Sequence, residues 1–487
     1  MFENKNEKTV FLITIDALRA DHLKQYGYSL NTAPNLDKFV KQGTTFINAY
    51  TNGPATPSSF SAIFTSILPL LNGGYSPLPN EKITFPQLLK EYGVFNYGIH
   101  SNPNLGTFFN YDRGFDIFLD GERYKTEKNR PNRKGIRYQL ISVIKKIFNY
   151  KNFSRKLIYR FRGFNKFLDW IRTKFPFITD ILLPFTPMSY NATYIINKII
   201  TFLNTYKRPL FIWAHFMEPH GPYNPPSKNV LNLRKFDIDS NEREYLSKEI
   251  LVDHQKYKIS REILDKLIVL YDGEINFCDE NLKYLFDYIN YHFKKNTLII
   301  ITSDHGESLY EHGLLGHQGS VYQELLRVPL FIVEKGVNTN LNYIKEKVQL
   351  IDIAPTILDY FGIEIPEWFQ GKSLIPLMRA VPQKRDDFII SACYQKNRFM
   401  KRNSKEGYLL ISIQKAEWKY IFDEELNQEY LFNLQKDPDE KINLININKE
   451  KANDFRLIKQ HHLIKSQETS ERYRISSAIS KLKINLP

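Results

Sequence analysis

Two short apolar runs most constrain what this chain can fold into: Thr9–Ile15 (TVFLITI) and Leu298–Thr302 (LIIIT), each followed within two residues by an aspartate. Such a run, with no polar alternation, reads as a strand buried on both faces, and strands of that kind belong to parallel sheets covered by helices on either side. A carboxylate delivered past the end of such a strand sits at the sheet edge where ligands bind in open α/β folds, because loops converge there over a rigid base. The second run continues as SDHGESLYEHGLLGHQG, so Asp304, His305, Glu307, His312 and His317 all follow it. Acids and histidines gathered at one edge point to a metal or anion site. The competing reading makes Asp304 and Asp16 helix caps, Asp16 for a helix over Leu18–Tyr26.

Strand and helix patterns alternate through most of the chain. Helices are expected over Ala33–Gln42, Ser58–Ser66, Thr84–Tyr92, Asn191–Tyr206, Ser260–Phe293 (broken near Gly273) and Ala354–Phe361, with strands at TTFINAY, Val94–His100, Leu210–Ala214 and Arg327–Val333. This order predicts an α/β fold with a mostly parallel sheet and helices on both faces. From Asp386 the pattern changes to short strands, Phe388–Ala392, Tyr408–Ile413, Trp418–Phe422 and Tyr430–Phe432, which predict a small antiparallel unit. The expected division is a catalytic domain over 1–380 and a C-terminal subdomain and tail over 386–487. Thr56 precedes Pro57 at the start of the Ser58–Ser66 helix, an N-cap position. A hydroxyl there stands beside free N–H groups in the positive field of a helix terminus, which binds anions and eases alkoxide formation. Either it does that or it only caps.

Of the 487 residues, 42% are hydrophobic, which fits a folded globular chain, and the formal charge is +14. Seventeen Lys and Arg against four acids between Gly121 and Phe185 give +13, so nearly all the charge belongs to one basic insertion, about 121–185. Leu157, Phe161, Phe164, Leu168 and Ile171 recur there at helical spacing. Basic amphipathic helices of this kind can lie on an anionic membrane, hold a polyanionic substrate or form a lid. No nucleic-acid motif accompanies them, so no nucleic-acid partner is expected. Cys278 and Cys393 are isolated, which excludes a zinc ribbon and argues against a disulfide framework. No apolar run approaches the roughly 18 to 20 residues that span a bilayer. With a strand starting at Thr9 there is no room for a signal peptide, and the expectation is a cytoplasmic protein with peripheral membrane contact through the insertion.

Taken together, DALRADHL, TAPNLDKF, the FSAIFTS helix, MEPHGPY, LYDGEINFCDENL, TSDHGE with EHGLLGHQG, RVPLFI, LIDIAPTILDYFGI and YLFNLQKDPDEKIN resemble the sulfatase family of the alkaline phosphatase superfamily. The resemblance covers most of the chain outside the insertion. It implies an alkaline-phosphatase-like α/β/α sandwich with a small C-terminal antiparallel α+β unit, and hydrolysis of sulfate or phosphate esters. Position by position, it implies that Asp16, Asp304 and His305 ligate one divalent metal ion (calcium by family; manganese, magnesium and zinc are alternatives). Thr56 falls at the nucleophile position, also touching the metal. His220 and His317 fall where the family contacts the ester's anionic group or protonates the leaving oxygen.

The chain departs from the family at the nucleophile: sulfatases usually carry Cys or Ser in a CxPSR-type motif, converted to formylglycine, and here the sequence is ATPSSFSA. Ungapped alignment places Thr56 there, and a one-residue shift would place Ala55. Ala17 follows Asp16 where a second acid is usual. Three readings follow: a metal-dependent hydrolase of sulfate or phosphate esters acting through Thr56; a phosphoglycerol- or phosphoethanolamine-type transferase to a lipid or glycan; and a non-catalytic binder of anionic glycans or membranes. The expected partner is an anionic ester, glycan or lipid head group included.

Overall fold

Strand β1 (Thr9–Ile15) runs between β5 (Leu210–Phe216) and β6 (Thr297–Ser303), parallel to both, and the rest of the main sheet is laid outward from this trio. The computed structural model describes residues 8–69, 78–121, 191–206, 209–234, 238–251, 254, 257–317, 319–337, 343–395, 408–424, 426–461 and 464. Adding β2 (Thr44–Tyr50), β3 (Phe95–Ile99), β4 (Ile117–Leu119), β9 (Arg327–Lys335) and β10 (Tyr343–Gln349) gives the order β10-β2-β9-β6-β1-β5-β3-β4. Only β9 runs antiparallel to its neighbours among these eight.

The unbroken apolar character of β1 and β6 has the predicted cause. Val10, Leu12, Leu298 and Ile300 pack into a core on one face of the sheet, and Phe11, Ile13, Ile299 and Ile301 into a second core on the other. The first face is covered by the helices Thr56–Thr65, Phe85–Glu91 and Ile353–Phe361, the second by Pro34–Val40, Ala192–Leu203 and Arg261–His292. Phe60, Ile63 and Phe64 are wholly buried, each side chain contributing about 1.5–3 kcal/mol by area removed from water. The architecture is the alkaline-phosphatase-like α/β/α sandwich.

A four-stranded antiparallel sheet, β11 (Phe388–Gln395), β12 (Tyr408–Lys415), β13 (Trp418–Asp423) and β14 (Gln428–Asn433), forms the C-terminal unit, whose Ile411, Tyr420, Leu431 and Phe455 share one core with Ala62, Leu68 and Ile351. Gly121–Ser189 separates as a unit of its own; the basic insertion, with the amphipathic helices expected in it, lies outside the described residues apart from Gly121. No described helix is long and apolar enough to cross a membrane.

Two local expectations are corrected. Arg261–His292 is one unbroken helix through Gly273, where a Cβ would come within 2.8 Å of the Pro225 ring; the glycine serves close packing, not a break. Leu18–Tyr26 is not a helix but two 3-10 turns, Ala20–His22 and Lys24–Tyr26, because Ala17 takes a left-handed conformation (φ 57°) that turns the chain away from a helical start.

Candidate active site

Register brings the two aspartates together. Ile15 pairs with Ser303 across β1 and β6, so Asp16 and Asp304, one residue further on, leave the sheet side by side. Both are wholly buried. Asp16 Oδ2 takes the Asn102 amide at 2.7 Å and lies 3.2 Å from His215 Nε2, while Asp304 Oδ1 accepts the backbone N–H groups of His305 (3.0 Å) and Ala17 (3.3 Å). The other oxygens, Asp16 Oδ1 and Asp304 Oδ2, have no hydrogen-bond partner among the described residues.

Those two bare oxygens face one nitrogen. His305 Nε2 lies 3.4 Å from Asp16 Oδ1, 3.6 Å from Asp304 Oδ2 and 3.3 Å from Thr56 Oγ1. His305 Nδ1 donates to Gly306 O at 2.7 Å, which fixes the tautomer and leaves the Nε2 lone pair turned inward. Adjacent ligands of a small divalent cation, bonded at about 2.0–2.4 Å, are themselves about 3–3.6 Å apart. His305 Nε2 stands at such distances from each of the other three atoms, so these four residues could hold a cation between them. Burial, then the charge of Asp16, pushes Asp304 up to about 7, with His215 among the groups opposing. Burial would raise Asp16 too, but His220, His215 and His305 outweigh it and hold Asp16 below the usual carboxylate range. One ligand-type atom each of Asp16, His215 and Asp304 also lie within 4.8 Å of one another. His215, however, faces the Asp16 oxygen that Asn102 already occupies, and its Nδ1 is 3.0 Å from Thr14 Oγ1; it orients Asp16, and His305 faces the bare oxygens.

Thr56, not Ala55, points into this group. Ala55 is the extended residue before the helix Thr56–Thr65 and Thr56 its first helical residue, so the expectation of Thr56 as N-cap is off by one. The consequence is that Oγ1 is free of capping and turned to His305, with the Asn102 amide 3.4 Å away on its other side. Asn104 N–H donates to Asn102 Oδ1 at 2.9 Å, which keeps the Asn102 amide nitrogen directed at Asp16 and Thr56. The helix end adds its positive field.

Outward from His305 stand His317 and then His220, with ring centroids 4.4 Å and 4.9 Å apart in succession. Burial disfavours a charged His317, but Glu307, whose Oε1 is 3.4 Å from Nδ1, outweighs it, with Asp16 and Asp304 adding to the pull, so His317 titrates above the usual imidazole range. His305 goes the other way: burial first, then His317, press it down to about 3, and it stays neutral. His220 Nδ1 donates to Gly221 O, leaving Nε2 as its free pole. The six residues to which the resemblance gives roles, Asp16, Thr56, His220, Asp304, His305 and His317, therefore meet at one sheet edge. Asn102, His215 and Glu307 complete it. The first two follow or end strands β3 and β5, so the strand-end rule that marked Asp16 applied to them also; nothing in the sequence separated them from ordinary polar residues.

This sheet edge belongs to a class, the ester hydrolases built on the alkaline-phosphatase-like sandwich. The family model for Sulfatase matches residues 8–363, and the one for N-sulphoglucosamine sulphohydrolase, C-terminal, matches residues 310–468. The chain belongs to the sulfatase family. It is 25% identical to an arylsulfatase of Clostridium perfringens over 482 residues, 90% of each chain. Among solved structures, the phosphonate monoester hydrolase of Silicibacter pomeroyi superposes with a TM-score of 0.66 at 18% identity, covering 95% of this chain and 96% of that one. BT4656 in complex with its substrate D-glucosamine-2-N,6-O-disulfate superposes with a TM-score of 0.65 at 18% identity, covering 96% and 98%.

Proposed function

We propose that the chain hydrolyses an ester of sulfuric or phosphoric acid with Thr56 as nucleophile, and that it holds one divalent cation between Asp16, Asp304, His305 and Thr56. The observation that carries this reading is that Thr56 Oγ1 and the two bare carboxylate oxygens all lie within 3.3–3.6 Å of one ring nitrogen, His305 Nε2. A cation bound there would supply Lewis acidity, lowering the hydroxyl's pKa and screening the ester's charge.

The chain's own groups divide the remaining work. Asn102 and the helix terminus hold Thr56 Oγ1 in the attacking position, with His305 Nε2 3.3 Å away. His317, kept protonated by Glu307, hands its Nε2 proton to the departing oxygen, and His220 Nε2 is placed to bind the anionic group beside it. The Clostridium relative is named for aryl sulfates, and an anionic ester with an alcohol leaving group is the shared chemistry.

Which centre is cleaved faster follows from the nucleophile. A formylglycine hydrate expels bound sulfate through its second hydroxyl; threonine has one hydroxyl, so its ester must be opened by attack at sulfur or phosphorus itself. In-line displacement with metal help suits phosphorus better. Assaying 4-nitrophenyl phosphate, a 4-nitrophenyl phosphodiester and 4-nitrophenyl sulfate side by side should show phosphoryl turnover ahead of sulfate. Preferred sulfate turnover would remove the Thr56 ester from the mechanism.

A further inference from the structure

His312 has no part in the chemistry above, yet it is held more tightly than a loop histidine needs to be. It sits at the tip of the hairpin that presents His317. Strands β7 (Ser308–Leu309) and β8 (Leu315–Gly316) pair antiparallel, and Tyr310 N–H donates to Leu314 O at 2.8 Å to close the turn. The His312 ring lies flat on Tyr322, centroids 3.6 Å apart and planes within 6°. Its Nδ1 is 3.0 Å from Glu324 Oε1 and its Nε2 3.0 Å from the Asp439 backbone carbonyl.

These partners decide the protonation state. A carbonyl only accepts, so Nε2 carries a proton. Burial would raise the Glu324 carboxyl, but the hydrogen bond to and charge of His312 outweigh it and hold Glu324 below the usual carboxylate range, so the ionised carboxylate accepts from Nδ1. Both ring nitrogens therefore donate, and His312 is an imidazolium.

Its two acceptors belong to different parts of the fold. Glu324 lies in the turn Gln323–Leu326 that feeds β9 of the main sheet, and Asp439 follows the C-terminal sheet. The same junction holds Gln323 N–H on Glu440 Oε2 (2.7 Å) and a fully enclosed Lys419–Glu440 pair (2.6 Å). Close backbone approach is required too: a Cβ on Gly306, next to His305, would meet Glu324 O at 1.9 Å.

We propose that His312 is a positioning residue: as an imidazolium it pins the hairpin that presents His317 to both the main sheet and the C-terminal unit, and turnover declines when that charge is lost. This rests on the reading of His317 as proton donor. The charged and titratable groups around the ring are Glu324, Glu440, Tyr322, Lys419 across the Tyr322 ring, and Arg19 acting on Glu324. Burial disfavours the charged ring, but Glu324, then Glu440 and the Asp439 carbonyl, hold it above the usual imidazole range. The pin is therefore complete at neutral pH and is lost as pH rises through that raised value, when a lone pair is left facing an acceptor.

The test compares the full-length wild type with His312→Gln and Glu324→Gln, the second a milder change should the first fail to fold. Two readouts are taken: the pH profile of kcat and KM, and amide exchange of Tyr310 and Gly313 corrected for intrinsic rate. His312→Gln should lower kcat about ten- to a hundredfold with little change in KM, and lower hairpin protection at every pH. Glu324→Gln should move the alkaline limb of kcat down by about one pH unit. Variants whose hairpin protection and alkaline limb match wild type overturn the proposal. A protein inactive on every ester that still loses hairpin protection in both variants upholds the pin and overturns the hydrolase assignment instead.

Discussion

Replacing Thr56 separates a nucleophile from a structural hydroxyl. The side chain is buried, its Oγ1 held between His305 and Asn102. Thr56→Ser keeps the oxygen but removes a buried methyl, which costs about 1 kcal/mol of stability. It also frees χ1 to sample three wells where the β-branched side chain is restricted, and the reactive rotamer loses up to about threefold, RT ln 3 being about 0.65 kcal/mol. A kcat about three- to tenfold below wild type is expected for Thr56→Ser. Thr56→Ala removes the attacking atom, and losses of about 10³-fold or more are expected, equivalent to about 4 kcal/mol of barrier. Its fold should survive, because the helix Thr56–Thr65 is anchored by Phe60, Ile63 and Phe64 rather than by the hydroxyl. The assay is initial-rate turnover of the preferred 4-nitrophenyl ester by both variants, with acid-quenched peptide mass spectrometry to find the ester on the peptide containing Thr56. A Thr56→Ala enzyme within tenfold of wild type, or an adduct on another residue, would refute the reasoning.

Asp304→Asn halves the charge offered to a cation and should lower metal stoichiometry after gel filtration, measured by elemental analysis, together with turnover; full metal occupancy and normal rates would contradict the ligand assignment. Glu274 provides a pH test away from the site: burial pushes it up to about 8, with Glu218 adding to the rise, so the native state binds a proton that the unfolded chain has released. Stability should therefore fall as pH rises from about 4.5 to about 8, and Glu274→Gln should flatten that decline in thermal melts; an identical slope in the variant would show that Glu274 is not protonated in the fold. Deleting 127–175 removes most of the insertion's positive charge and none of the proposed site residues, so turnover of a small chromogenic ester should persist while binding to anionic vesicles or polyanions weakens. Loss of small-ester turnover in a folded deletion variant would assign the insertion to the site instead.

How much of this was legible in the sequence can be said residue by residue. The unbroken apolar runs of β1 and β6, short and β-branched, pointed to strands covered on both faces, and an aspartate past each pointed to one sheet edge. The small C-terminal unit was visible in its short strands for the same reason. What only the tertiary structure decided was which atoms face which. The Ile15–Ser303 register put Asp16 beside Asp304, and the position of Thr56 in the first turn of its helix turned its hydroxyl inward in place of Ala55. Asn102 and His215 joined the site through strand order, since β5 lies next to β1 and β3 next to β5 although long stretches of sequence separate them. The same holds for His312, whose two acceptors are 12 and 127 residues away along the chain. Local pattern reports what a segment buries, whereas the pairing of polar atoms depends on which distant segments the sheet order makes neighbours.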